Sequence, residues 1–346
     1  MSKARCVLWL NPDQAPTLKR VLAHADIELI AAGSPDSGRT GQVASDLDCD
    51  PVDDIRVALT SIDADLLILA APGSFADQAN DADLDALKAA HARNLSVATF
   101  EPIPATSTGI GGTSYVDALS TGALDELVQM IPLTRHTPLI DELYTVLETF
   151  GPIRSCNITL GMPQLIGSLG ARLFDAMDLI RSLVGVPGVV DASYISPSAG
   201  RGMHPLPGQS LRYLHGEFTL NLRFSDGRCG AVLLTNQVGA STIHLNMISA
   251  EGHIIADHTG FKWFDPSGKM IDSYTTPDLD KTDANNLDPS EIAVANQLIE
   301  LCSGVGPQRA PIDYQGVLSM AHATLLSTRT GQGESPRAVD QLLLSM

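Results

Sequence analysis

Apolar positions in the first third of the chain come in short runs, each followed by a stretch of helical periodicity. Runs at 5–10, 27–32, 66–71 and 95–100 read as strands, with helices at 16–24, 52–61 and 81–92 among those between them. This alternation predicts a parallel sheet covered on both faces, a Rossmann-type α/β domain over residues 1–130. Asp63 and Asp65 precede LLILAA, and Pro72 closes it. A strand that ends at a proline and a loop marks a carboxyl edge, where such sheets bind ligands.

From about residue 131 the pattern changes. A strand-like run, IRSCNITLG (153–161), precedes a long helix at 167–184. In YLHGEFTLNLRF (213–224) the alternation puts Phe218, Leu220, Leu222 and Phe224 on one face and Thr219, Asn221 and Arg223 on the other. SDGR (225–228) is a hairpin turn signal, and CGAVLLTNQ, TIHLNMISA, HIIADH and FKWFD continue the strands. Helices near 289–303 and 314–329 close the chain, and TTPDLDKTDANNLDP (275–289) reads as a loop. The expectation for 131–346 is an α+β domain whose mostly antiparallel sheet is open on one face, with the last helices able to pack back on the first domain. The open face suggests a homo-oligomer formed through this sheet.

Lys and Arg total 22 against 40 Asp and Glu, a formal charge of −18. Such a surface repels phosphates and anionic lipids over roughly 8–10 Å, which argues against nucleic acid and membrane partners. The N-terminal apolar run is four residues long, too short for a signal-peptide core, and no stretch is apolar enough to span a bilayer. A cytoplasmic protein is expected. The five cysteines (Cys6, Cys49, Cys156, Cys229, Cys302) form no CxxC and read as inert thiols. His253 and His258 lack the tight spacing of a zinc site, so no metal is expected. No Gly-x-Ser-x-Gly elbow occurs.

Four stretches, in order along the chain, resemble the Gfo/Idh/MocA oxidoreductase family. LILAAPGSF (67–75) resembles the strand that carries Ala-Thr-Pro there, and FEPIPAT (100–106) sits where the family has Glu-Lys-Pro. LGARLFDAMDLIRSLVG (169–185) is similar to the helix bearing the catalytic histidine, and LLSTRTGQ (325–332) to the closing helix. The resemblance implies NAD or NADP as cofactor and a sugar, cyclitol or related alcohol as substrate. In the family a lysine and a carboxylate position the substrate hydroxyl, and a histidine takes its proton as hydride leaves.

Residue by residue, the chain departs from that pattern. Glu101 keeps the glutamate, but Pro102 falls at the lysine, Ala171 at the aspartate and Asp175 at the histidine. Asp178 keeps a later aspartate whose implied role is structural. Proline has neither charge nor N–H. Asp175 is a base at neutral pH only if burial raises its pKa. The glycine-rich turn aligns with Leu10 to Ala15, LNPDQA, which holds no glycine. Asn11, Pro12 and Asp13 present side chains where backbone should meet pyrophosphate, and Asp13 reads as a helix cap. A phosphate about 4 Å from that carboxylate would be opposed by about 4 kcal/mol at an effective dielectric near 20. Gly33 and Ser34, with Asp36 beyond, stand where an acid usually holds the adenosine ribose. If a nucleotide is held, the implied contacts are Asn11, Asp13, Ser34, Ala71, Pro72 and Glu101, through helix N-termini in place of glycines.

Three further stretches carry candidate chemistry. TSTGIGGTS (106–114) reads as an anion cradle or a surface loop. LTRHTP (133–138) offers Arg135 and His136 to a carboxylate, phosphate or sugar hydroxyl, or else is a connector between domains. PSAGRGMHPLPGQSLRYLHG (197–216) brings Arg201, His204 and Gln209 onto a long loop that reads as a lid or as plain surface. Two functions follow. One is a homologue without ordinary dehydrogenase activity that binds a small, sugar-like ligand or a protein partner. The other is an active NAD(P)-dependent oxidoreductase using Asp175, His136 or His204 as base.

Overall fold

The computed structural model describes residues 3–77, 80–106, 118–119, 121–197, 207–276, 287–304 and 310–345. Strands β1 (Arg5–Trp9), β2 (Glu28–Gly33), β3 (Asp50–Pro51), β4 (Leu66–Leu69), β5 (Ser96–Thr99) and β6 (Gln129–Met130) form one parallel sheet in the order β3-β2-β1-β4-β5-β6. Its helices are α1 (Ala15–His24), α2 (Thr40–Leu47), α3 (Ile55–Ser61), α4 (Asp81–Ala92) and α5 (Ala123–Leu127). Period-two alternation sorts β1 between two apolar layers: Cys6 and Leu8 join Leu18 and Val43, while Val7 and Trp9 join Ile55 and Leu84. Every residue of β4 is buried, as a central strand requires.

The second sheet has eight strands: β7 (Ser155–Gly161), β8 (Val189–Ile195), β9 (Glu217–Arg223), β10 (Cys229–Thr235), β11 (Thr242–Ile248), β12 (His253–Asp257), β13 (Gly260–Phe264) and β14 (Met270–Thr275). Their order is β14-β13-β12-β11-β7-β10-β9-β8; β7 and β10 run parallel and the other pairs antiparallel. Phe218, Leu220, Leu222 and Phe224 are all buried, as their alternation predicts. Helices α6 (Pro138–Phe150), α7 (Leu169–Leu183) and α9 (Tyr314–Thr330) pack on this inner face, and α10 (Pro336–Ser345) lies on α9. The outer face carries Asp191, Asn221, Asn157, Asn246 and Ile255 along one row.

Helix α8 (Pro289–Ser303) belongs to the first layer. Val294, Ala295 and Leu298 pack with Leu18 and Val21 of α1, and Arg20 pairs with Glu291. Asp288 caps α8 and also accepts the Ser241 N–H at 2.9 Å, which ties the helix to the second sheet.

Several elements differ from the sequence pattern. Helix α3 begins at Ile55, because Asp54 accepts the Arg56 N–H at 2.8 Å and caps it there. Strand β7 begins at Ser155. Helices α2, α5, α6 and α10 and strands β3, β6, β8 and β14 have no counterpart among the expected elements. In α6 the pattern was available: Pro138 occupies the first turn, and Leu139, Leu143, Val146 and Phe150 form the buried stripe. Three helices close the chain where two are expected, the last starting at Pro336.

Candidate functional site

The carboxyl edge of the parallel sheet faces the N-terminal end of α7 and is built from the loops after β1, β2, β4, β5 and β6. After β1, a single turn of 3₁₀ helix (Pro12–Gln14) leads into α1. Gln14 is 5% exposed. Its Oε1 accepts the Asn11 N–H at 3.0 Å, and its Nε2 donates to the carbonyls of Ala70 at 3.2 Å and Leu165 at 3.1 Å. One amide thus fastens β1 to β4 and to the turn before α7. The capping assigned to Asp13 from sequence falls to Gln14, whose spacing from Asn11 is that of a capping box. A carboxylate only accepts, and here two carbonyls need a donor. The exposed Asp13 side chain has no hydrogen-bond partner among the described residues.

After β2, a Cβ on Gly33 would overlap both the Trp9 ring and the Val52 carbonyl oxygen, so no acidic side chain fits there. Ser34 is buried, with its Oγ accepting the Asp36 N–H at 3.2 Å. A Cβ on Gly73 would lie 2.5 Å from Cβ of Pro35. The loops after β2 and β4 therefore touch, although β1 lies between those strands in the sheet.

After β4, the Ala71 N–H bonds to the Trp9 carbonyl at 3.1 Å and Pro72 is buried. Arg212, from the segment before β9, donates to the carbonyls of Gly73 (2.9 Å), Phe75 (2.7 Å), Ala76 (3.4 Å) and Pro102 (3.1 Å). The guanidinium thus ties the loop after β4 to the Pro102 backbone in the loop after β5. Glu101 is buried and accepts the Ser168 N–H at 2.7 Å and the Ser168 hydroxyl at 2.6 Å. Burial pushes its carboxyl up, against the pull of those bonds.

Helix α7 is buried along its whole first three turns. Asp175, 1% exposed, accepts the Thr134 N–H at 2.6 Å and the Thr134 hydroxyl at 2.7 Å, and lies 3.6 Å from Nη1 of Arg172. Burial raises its carboxyl, while Arg172 and Thr134 lower it. Arg172 is fully buried, donates to the Ile166 carbonyl at 3.1 Å and points Nη1 at the Met162 sulfur, 2.9 Å away. Ala171 packs beside Gly167. Asp178 pairs with Nε of Arg135 at 2.8 Å, and burial pushes it up to about 7 against that charge. Arg135 also donates to the Ala310 carbonyl at 2.9 Å.

Of the residues singled out from sequence, Glu101 is held by Ser168 at the start of α7, and two turns on Asp175 is held by Thr134 and Arg172, all of them buried. Arg135 pairs with Asp178. His136 instead lines a pocket of about 220 Å³ with Thr137, Asn296 and Glu300, and no residue of the loops after β1, β2, β4 or β5 joins them there. Arg201, His204 and most of the 106–114 stretch lie outside the described residues. Sequence reasoning missed Gln14, Ser168, Arg172 and Arg212. Only Gln14 carried a signal, its capping-box spacing.

Among the described residues, no group of three His, Cys, Asp or Glu is placed to hold a metal ion, and no helix is long and apolar enough to cross a membrane. No protein-family profile and no curated protein matches the sequence. Solved structures do match. Levoglucosan dehydrogenase in complex with NADH and levoglucosan aligns over 96% of this chain and 99% of its own, at 15% identity and a TM-score of 0.65. UDP-N-acetylglucosamine 3-dehydrogenase from Acidithiobacillus ferrooxidans covers 99% of this chain and 100% of its own, at 14% identity and 0.57. An oxidoreductase from Agrobacterium radiobacter in complex with NAD+, L-tartaric acid and magnesium covers 97% and 99%, at 11% identity and 0.63. Over nearly its entire length this chain has the fold of the Gfo/Idh/MocA-type dehydrogenases, a Rossmann-like parallel sheet joined to a mostly antiparallel one.

Proposed function

We propose that this chain is a divergent homologue of those dehydrogenases, without ordinary dehydrogenase activity, that acts as a small-ligand-binding or accessory protein. The supporting observation is Gln14. A dinucleotide on this fold needs the first turn open, with free backbone N–H groups toward the pyrophosphate. Here the Asn11 N–H is taken by Gln14, and the same amide spans to Ala70 and Leu165. Pro35 against Gly73 bridges above β1, and Gly33 cannot be replaced by a ribose-binding acid. The residues present do not fit a dinucleotide.

The NADH and NAD+ complexes of the structural neighbours favour the second reading, an NAD(P)-dependent oxidoreductase acting on a CH–OH group. That reading takes Asp175, His136 or His204 as base, and at Asp175 both carboxylate oxygens already accept a bond from Thr134. A homo-oligomer through the outer face of the second sheet is also proposed, supported by the exposed Ile195, Leu233, Ile248 and Ile255; light scattering on the purified protein tests it.

Calorimetric titration with NADH and NADPH, after native mass spectrometry to exclude carried-over nucleotide, tests the main proposal. No binding at millimolar cofactor is expected. Micromolar affinity, or nucleotide already bound, overturns it.

A further inference from the structure

The opposite end of the parallel sheet presents a different arrangement. A pocket of about 250 Å³ opens at the start of β5 and β6. Leu95, Val97, Leu127 and Leu301 line it with apolar surface, and His91, Asn94, Ser96, Glu126 and Gln129 line it with polar groups. Five elements or their ends meet there: α4, β5, α5, β6 and α8. None of the five polar side chains makes a hydrogen bond or ion pair with a described residue. At the carboxyl edge, by contrast, Gln14, Glu101, Asp175 and Arg212 are all held by internal partners.

From this juxtaposition we infer a second binding site, for a neutral polyhydroxylated molecule about the size of a monosaccharide. Ligand sites pair apolar surface with a few convergent polar groups, and this pocket has that composition, slightly below the usual ~300 Å³. The amides of Asn94 and Gln129 and the hydroxyl of Ser96 both donate and accept, which matches hydroxyls that do the same. Glu126 is the one acid in the lining and accepts only; the lining holds no Lys or Arg, and His91 is its one other titratable side chain. An anion would therefore meet Glu126 with no permanently charged cation in the lining to offset it, on a chain of formal charge −18. Leu301, the part-exposed apolar residue of the lining, offers the C–H edges of a ring a surface to cover. The site shares no residue with the carboxyl edge and stands whether or not that edge holds a nucleotide.

Saturation-transfer NMR on the full chain, with D-glucose and D-gluconate as probes, tests this. Transfer to glucose and none to gluconate is expected. Gln129→Ala, an exposed change that leaves the core untouched, should weaken glucose binding about three- to tenfold, the worth of one or two hydroxyl contacts. Glu126→Gln should admit gluconate. Ser96→Leu should abolish transfer by filling the pocket, with circular dichroism reporting the fold. Absence of glucose transfer overturns the inference. So does transfer undiminished in Gln129→Ala, which would place the ligand elsewhere, including the carboxyl edge.

Discussion

Glu101 holds the amino end of α7 through Ser168: one carboxylate oxygen takes the Ser168 N–H and the other its hydroxyl, at 2.7 and 2.6 Å. Ser168 in turn caps the helix by accepting the Ala171 N–H. Glu101, from the loop after β5, is thereby committed to joining the two halves of the molecule. Ser168→Ala should cost about 1–3 kcal/mol, since it removes a cap and leaves a buried carboxylate oxygen without its donor. Glu101→Gln should cost less, because the amide still accepts from the Ser168 N–H and can donate to its hydroxyl. Urea denaturation of both variants compares them; equal costs would contradict this role.

Arg212 reaches four backbone carbonyls on the loops after β4 and β5 with one planar guanidinium. A lysine ammonium cannot span that fork. Arg212→Lys should therefore destabilise the chain by about 3 kcal/mol or more, as charged hydrogen bonds of roughly 1.5–3 kcal/mol each are lost. A melting temperature unchanged from wild type would show that the clamp carries no weight.

Gly33 lacks a side chain because the Trp9 ring and the Val52 carbonyl fill its space. Gly33→Ala should lower stability by about 2 kcal/mol or more, since a backbone oxygen cannot step aside. Gly33→Asp, the acid a dinucleotide ribose would want, should fare worse and gain no NADH affinity. A stable Gly33→Asp protein that binds NADH would refute both the packing argument and the proposed loss of the cofactor.

Two buried groups pull stability in opposite directions with pH. Burial raises Asp178 from 3.8 to about 7 against Arg135, with Asp175 and Asp125 adding to the rise and Arg181 opposing it. The folded chain keeps a proton there that the unfolded chain has released, so this contribution is full below pH 4 and is lost as pH rises to about 7. Glu101 and Asp175, also raised, act in the same sense. His322 is the reverse: burial lowers it from 6.5 to about 4, so stability is lost as pH falls through that range. Between pH 4 and 6.5 the slopes oppose. Asp178→Asn should make stability rise more steeply with pH than in wild type, and His322→Met should make it fall. Guanidinium denaturation at pH 4.5, 5.5 and 6.5 reads the sign; identical slopes in the two variants would defeat the assignment.

The alternation of Phe218, Leu220, Leu222 and Phe224, and the short apolar runs before residue 100, were enough to predict a parallel sheet and a mostly antiparallel one, but not their strands β3, β6, β8 and β14. A strand's side chains sort by a period of two within the strand itself, so the pattern is local and readable. The four ordered motifs likewise matched the fold found. That Pro102, Ala171 and Asp175 fall where the resemblance implies a lysine, an aspartate and a histidine is an expectation drawn from the sequence alone. What those positions do instead was decided only in three dimensions. Gln14 meets carbonyls 56 and 151 residues away, and Arg212 meets carbonyls more than a hundred residues away. A carbonyl is present at every residue and leaves no mark in the sequence, so which of them a buried amide or guanidinium finds depends on how the two halves are brought together.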